Sequence, residues 1–138
     1  MKSTLNKARI AEAKRIVVKI GSVLLVDDNS GTLHNAWLNS LGKDVAALRD
    51  RGHEVILVSS GAIALGRRCL GLKTGELKLE EKQAAAAVGM VRLAQSYQET
   101  LNKFDLSVAQ ILLTLDDSEN RRRYLNARST IMTLLRVG

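Results

Sequence analysis

The chain has 138 residues and a mass of 15.1 kDa; 46% of its residues are hydrophobic, 25% are charged, and the formal net charge is +7. That balance fits one globular domain and excludes a chain too polar to bury a core. No stretch reaches the ~18 uncharged apolar residues of a membrane-crossing helix, and a single cysteine, Cys69, with two histidines, His34 and His53, excludes a disulfide framework and a cysteine-rich zinc site.

Residues 1–14 are basic, lack the apolar centre of a secretory signal, and read as a short helical lead-in. Arg15-Ile16-Val17-Val18-Lys19-Ile20 is nearly continuous in apolar residues, the pattern of a strand covered on both faces. Gly21-Ser22 follows at once. Val23 to Val26 and Thr32-Leu33, flanking Asp27-Asp28-Asn29-Ser30-Gly31, predict a β-hairpin. Asn35 to Arg51 carries Leu38, Leu41, Val45 and Leu48 at three- and four-residue steps, a helix that Gly52 stops. Glu54 to Ser59 predicts a second buried strand, and Ala62 to Leu70 a short helix closed by Gly71. Lys73 to Lys78 is a polar loop. Glu80 to Phe104 is a long alanine-rich helix, a tightly packed core helix or a subunit contact. Gly89 inside it costs ~1 kcal/mol against alanine, so another element is expected to pack closely there. Ser107 to Leu113 predicts a third strand. A last helix, Asp117 to Arg136, has acidic residues at its start and basic ones later, as the helix dipole favours.

Strands alternating with helices predict an α/β fold with a largely parallel sheet. Three strands are few for such a sheet, and the sequence stops at Val137-Gly138, where a further strand is due. The expectation is therefore that residues 15–138 are the N-terminal part of a longer domain. One cysteine in a chain of this size fits a reducing compartment.

Two constellations could carry chemistry. Lys19-Ile20-Gly21-Ser22 ends the first strand at the sheet edge where open α/β folds bind ligands. The Gly21 and Ser22 N–H groups could donate to phosphate oxygens, and Lys19 would supply a positive charge. A strand-end lysine reaching water accounts for the same residues equally well. Ser59-Ser60-Gly61-Ala62-Ile63 follows the second strand and opens a helix whose free N–H groups form an anion site. Plain helix capping by Ser59 or Ser60 is the commoner outcome of an isolated Ser-Ser-Gly. Two such turns after two parallel strands favour the ligand reading, because both open on one edge. Neither a Walker P-loop nor a Gly-x-Gly-x-x-Gly fingerprint occurs.

The remaining candidates keep plainer readings. Arg121, Arg122, Arg123 and Arg128 form a solvated or salt-bridged surface, Asp116 and Asp117 start a helix, Cys69 is buried and inert, and Trp37 anchors the core edge. His34 and His53 lack the partner spacing for catalysis. The charge admits nucleic acid as a partner, but 3% aromatics provide few rings for base stacking.

In order along the chain, Val17-Val18-Lys19-Ile20-Gly21-Ser22, Val58-Ser59-Ser60-Gly61-Ala62-Ile63-Ala64-Leu65-Gly66, Lys82-Gln83-Ala84-Ala85-Ala86-Ala87-Val88-Gly89 and Arg123-Tyr124-Leu125-Asn126-Ala127-Arg128 resemble the glutamate 5-kinases of the amino-acid-kinase superfamily. The lysine-glycine turn is shared across the superfamily; the other segments are particular to the glutamate enzymes. The resemblance implies a three-layer αβα sandwich with a mainly parallel sheet, incomplete at the C-terminus here. It implies ATP- and Mg²⁺-dependent phosphorylation of the glutamate side-chain carboxylate to γ-glutamyl phosphate, the first step of proline synthesis. Lys19 matches the lysine that neutralises the transferring phosphoryl group, Gly21 and Ser22 the adjoining phosphate-binding turn, and Ser60, Gly61 and Ala62 the segment holding glutamate. None of these residues is a metal ligand. The resemblance also implies a cytoplasmic homo-oligomer inhibited by proline. The family's Asn-Glu-Asn-Asp-like segment, its later aspartate, its second catalytic lysine and most of its ATP site are not among these 138 residues. The expectation for this chain alone is little or no kinase activity. Met90 stands where the family carries a polar residue. Competing readings are a kinase acting on acetylglutamate, aspartate or a nucleotide, and a non-catalytic basic module binding nucleic acid through Arg121–Arg123 and Arg128.

Overall fold

A computed structural model describes residues 10–27, 30–72 and 75–138. Residues 1–9 of the basic lead-in, Asp28 and Asn29 of the expected turn, and Lys73 and Thr74 of the polar loop lie outside the described residues.

The elements in chain order are β1 (Arg15–Ile20), α1 (Ser22–Leu25), α2 (Asn35–Asp50), β2 (Glu54–Ser59), α3 (Ala62–Cys69), α4 (Leu79–Asn102), α5 (Leu115–Glu119) and α6 (Arg121–Val137). β1 and β2 pair in parallel, with Arg15 opposite Glu54, Lys19 opposite Val58 and Ile20 opposite Ser59. The first pair is tied across the strands, Arg15 Nη2 lying 2.5 Å from Glu54 Oε2. The architecture is a mixed helix–strand fold around a parallel two-stranded sheet.

The core forms where one sheet face meets the helices. Ile20, Leu25, Val26, Leu38, Leu65, Leu93 and Tyr97 are buried together, with Val18, Trp37 and Leu57 packed against them. Trp37 is thus the half-buried anchor expected at the core edge. Gly89 meets α3 as expected: a Cβ added there would strike the Ala62 carbonyl and stand 2.8 Å from the Gly66 nitrogen. The Leu93–Tyr97–Leu101 stripe of α4 faces the core at helical spacing.

Four expectations need correction. The strands are not covered on both faces. Burial alternates along β1, and Val17 is 59% and Val58 48% exposed on the open side. A continuous apolar run is compatible with burial on either face, and here the described residues leave the face bearing Val17 and Val58 open.

The expected hairpin reduces to a single antiparallel bridge, Val26 to Leu33. Leu25 and Val26 are both buried, at 0% and 1% exposure. Consecutive residues cannot share one face of a strand, so Ser22–Leu25 coils into a helical turn instead.

Ser107–Leu113 belongs to no helix and to no ladder. Val108 reaches the core, while Leu112 and Leu113 stay 65% and 58% exposed. β-branched residues favour an extended backbone, but a strand also needs a hydrogen-bonding neighbour.

The last helix is two helices. Asn120 breaks it, its Oδ1 accepting the Arg122 and Arg123 N–H groups at 3.1 and 3.3 Å as the cap of α6.

Candidate functional site

The carboxyl ends of β1 and β2 emerge side by side because the strands are parallel and in register. Pairing continues one residue beyond the ladder. The Ser60 N–H donates to the Ile20 carbonyl at 3.3 Å, and the Ser60 hydroxyl donates to the same oxygen at 3.4 Å. The chain then turns through Gly61, whose φ of +113° lies in the left-handed region that a side chain disfavours. A Cβ on Gly61 would stand 3.5 Å from the Ser22 Cβ and 3.7 Å from Val26 Cγ2. The two glycine turns that the sequence singles out are therefore in contact.

Lys19 lies on the open sheet face, one residue before the buried end of β1. Its Nζ is 3.9 Å from the position a Gly21 Cβ would take, so the ammonium folds back over the turn rather than extending away. Among the described residues it has no ion-pair partner. Gly21 itself has an ordinary φ of −76°. Its missing side chain matters for access here, not for backbone conformation.

Helix capping by the serines is overturned. Gly61 occupies the N-cap of α3, no side chain caps that helix, and its first turn holds no acid. Ser60 is bonded to β1, and the Ser59 hydroxyl donates to the Ser60 carbonyl at 3.3 Å. The start of α3 keeps free donors and uncompensated dipole charge beside a lysine. Ala62 is the first residue of that helix, and its carbonyl side is closed by Gly89 of α4.

Sequence reasoning missed Tyr97. Its phenol donates to Ser59 Oγ at 2.9 Å from α4, pinning the last residue of β2 behind the turn. Burial pushes its pKa above the usual 10.0, and the Ser59 hydrogen bond pulls back in part. The signal was available: Tyr97 continues the Leu93–Leu101 stripe, and a phenol on a core-facing stripe has to find a polar partner.

Lys19, Gly21, Ser22, Ser60, Gly61 and Ala62 thus converge at one sheet edge. Their common capacity is to receive an anion: one ammonium, backbone donors, and no carboxylate among the residues that form the two turns.

The other candidates fall elsewhere. Arg123 pairs with Asp116 at 2.6 Å, and Arg121, Arg122 and Arg128 are exposed, the salt-bridged and solvated surface expected. The Asp117 carboxylate closes a capping box by accepting from the Thr114 N–H and hydroxyl, both at 2.7 Å. These bonds, with Arg123 nearby, hold its pKa below the usual 3.8. His53 is buried, with Nδ1 2.6 Å from the Ala13 carbonyl, and is structural. Cys69 is exposed, not buried as expected. It ends α3 on the outer side, with its thiol on the Leu65 carbonyl at 3.1 Å. Among the described residues, no group of three or more potential metal ligands occurs, and no helix is long and apolar enough to cross a membrane.

Comparison with known proteins points the same way. The model of the amino acid kinase family matches residues 14–138. A glutamate 5-kinase of Paramagnetospirillum magneticum is 63% identical over 129 residues, 94% of this chain and 35% of that protein. One from Dinoroseobacter shibae is 59% identical over 131 residues, 95% of this chain and 36% of that protein. One from Gluconobacter oxydans is 54% identical over 138 residues, 100% of this chain and 36% of that protein. The chain spans about a third of the length of the curated relatives it matches.

Proposed function

The chain belongs to the amino acid kinase family, and we propose that it contributes the lysine-glycine phosphate turn and the glutamate-holding turn of a glutamate 5-kinase. The observation that carries this reading is the position of the Lys19 ammonium, folded over Gly21 where the Gly61 turn leans on Ser22. The relatives' name, glutamate 5-kinase, supplies the acceptor, glutamate; ATP as the donor and a place at the entry to proline synthesis belong to the same reading.

The chemistry suits the residues. A glutamate carboxylate with a pKa of ~4.3 is already ionised at neutral pH, so no general base is required. Two anions must instead be brought together with their repulsion cancelled. In this reading Lys19 draws charge from the phosphoryl group, and the Gly21 and Ser22 N–H groups hold its oxygens. Ser60, Gly61 and Ala62 position the acceptor carboxylate. Mg²⁺ would travel with the nucleotide phosphates; the described residues include no ligand cluster for it, and no step here depends on it.

Residues 15–138 in this reading form part of a three-layer αβα sandwich, and the open face bearing Val17 and Val58 would take its second helical layer. A homo-oligomer, a cytoplasmic location and inhibition by proline belong to the same reading.

The test traps γ-glutamyl phosphate with hydroxylamine, using the product of the native gene. Hydroxamate should form with glutamate, fall by roughly 10²–10³-fold in Lys19→Ala, and form poorly with acetylglutamate or aspartate. Equal rates in wild type and Lys19→Ala would overturn the assignment of Lys19. A preference for another acceptor would overturn the assignment of glutamate.

A further inference from the structure

A second basic cleft lies along the C-terminal half of α3, and none of its lining residues belongs to the glycine turns. It has a volume of about 440 Å³ and is lined by Thr32, Asn35, Leu65, Arg68, Cys69 and Arg92 among others. Three separate parts of the chain build it: the loop before α2, the outer half of α3, and the middle of α4. Two arginines line it, and among the described residues no carboxylate does. Neither arginine has an ion-pair partner among the described residues.

Arg68 is held in place. Gly31, at a left-handed φ of +62°, has no side chain, and the Arg68 stem lies across it; a Cβ on Gly31 would stand 3.0 Å from Arg68 Cβ and collide with Cδ. The cleft also borders the start of α2, a 16-residue helix with no acid in its first turn and no side-chain cap. Two guanidiniums and an uncompensated helix start would face the same occupant. The floor is Leu65, one turn beyond Gly61 on the same short helix.

We propose that this cleft is a second anion site, separate from the glycine turns, that takes a small di-anionic oxyanion between Arg68 and Arg92. Carboxylates and phosphates share that chemistry. A guanidinium offers both a planar pair of donors, and the space admits a molecule of several heavy atoms. Because α3 runs from Gly61 to the cleft, a bound anion there would bear on the helix that starts at the first site.

Cys69 provides the readout, since it lines the cleft and is the only cysteine in the chain. Its alkylation by neutral iodoacetamide is followed by mass spectrometry, with inorganic phosphate, citrate or glutamate titrated at constant ionic strength. The expected result is saturable protection by at least one of these anions, roughly fivefold at four times its Kd, with sodium chloride at matched ionic strength giving none. The ranking of phosphate against the two carboxylates identifies the source of the ligand. Protection should be lost in Arg92→Gln and in Arg68→Gln/Arg92→Gln, and kept in Lys19→Ala. Circular dichroism checks that each variant folds. Failure of all three anions to protect, equal protection by chloride, or protection surviving the double substitution would overturn the proposal. Loss of protection in Lys19→Ala would equally overturn it, because the anion would then act from the first site. None of these outcomes depends on kinase activity, so the two sites stand or fall separately.

Discussion

Gly66 and Gly89 face each other across α3 and α4 so closely that a Cβ on either would stand 2.8 Å from the backbone nitrogen of the other. Each added Cβ would also strike a carbonyl of the opposite helix, Ala85 from Gly66 and Ala62 from Gly89. The obstacle is backbone on both sides, so no side chain can swing away to make room. Gly66→Ala or Gly89→Ala must push the helices apart and should cost on the order of 3 kcal/mol. Urea unfolding measures this. A loss below about 1 kcal/mol would mean that the helices separate freely.

Removing the phenol of Tyr97 tests its hold on Ser59. In Tyr97→Phe the Ser59 hydroxyl loses a donor, and stability should fall by about 1 kcal/mol. The wild-type phenol also has a characteristic pH response. Its folded pKa lies above 10.0, so its contribution is complete below pH 10 and is lost as pH rises through the folded value. Ultraviolet titration at 295 nm should show a late tyrosinate component in the wild type that is missing from Tyr97→Phe. A wild-type titration superimposable on an unfolded control would contradict this.

Asp117 has the opposite sign. Its folded pKa lies below 3.8, so its capping of α5 is present above that value and is lost as pH falls through the folded pKa. The protection of the Thr114 amide, its observed exchange relative to the intrinsic rate at the same pH, should fall on acidification across this range. Asp117→Asn should remove the pH dependence of that protection and show lower protection already at neutral pH. A Thr114 amide indifferent to both acid and substitution would contradict the cap.

Lys19 should separate stability from function. Its side chain lies on the open sheet face and has no ion-pair partner among the described residues. Lys19→Ala should therefore change unfolding free energy by no more than about 0.5 kcal/mol while depressing phosphoryl transfer as stated above. Leu25→Ala is the counterpart. Leu25 is fully buried beside the site, and its loss should cost about 2–5 kcal/mol through the cavity it leaves. Thermal melts of the two variants should differ clearly; indistinguishable melts would refute the division.

The sequence marked the two candidate turns more readily than the architecture around them. Both glycine turns were legible because each follows an apolar run at once, and parallel pairing of those runs sufficed to bring Gly61 onto Ser22. Gly89 announced the α3–α4 contact by its cost in a helix. Ser107–Leu113 misled because its residues specify an extended backbone, whereas pairing depends on what lies beside it. Ser22–Leu25 misled because an apolar run of four cannot reveal its period; only the joint burial of Leu25 and Val26 distinguishes turn from strand. The exposure of Cys69 depends on which side of α3 is closed by α4, a tertiary fact with no local mark.

The bond from Ser60 to Ile20 joins residues 40 apart in sequence. No hairpin can form it early, since α2 stands between the strands. Closing such a loop costs roughly 3 kcal/mol of chain entropy before any contact is gained. Each glycine turn alone is an ordinary bend in a nascent chain. The two turns therefore meet late in folding and all at once, and a chain halted before β2 docks on β1 would have good helices and two turns held apart.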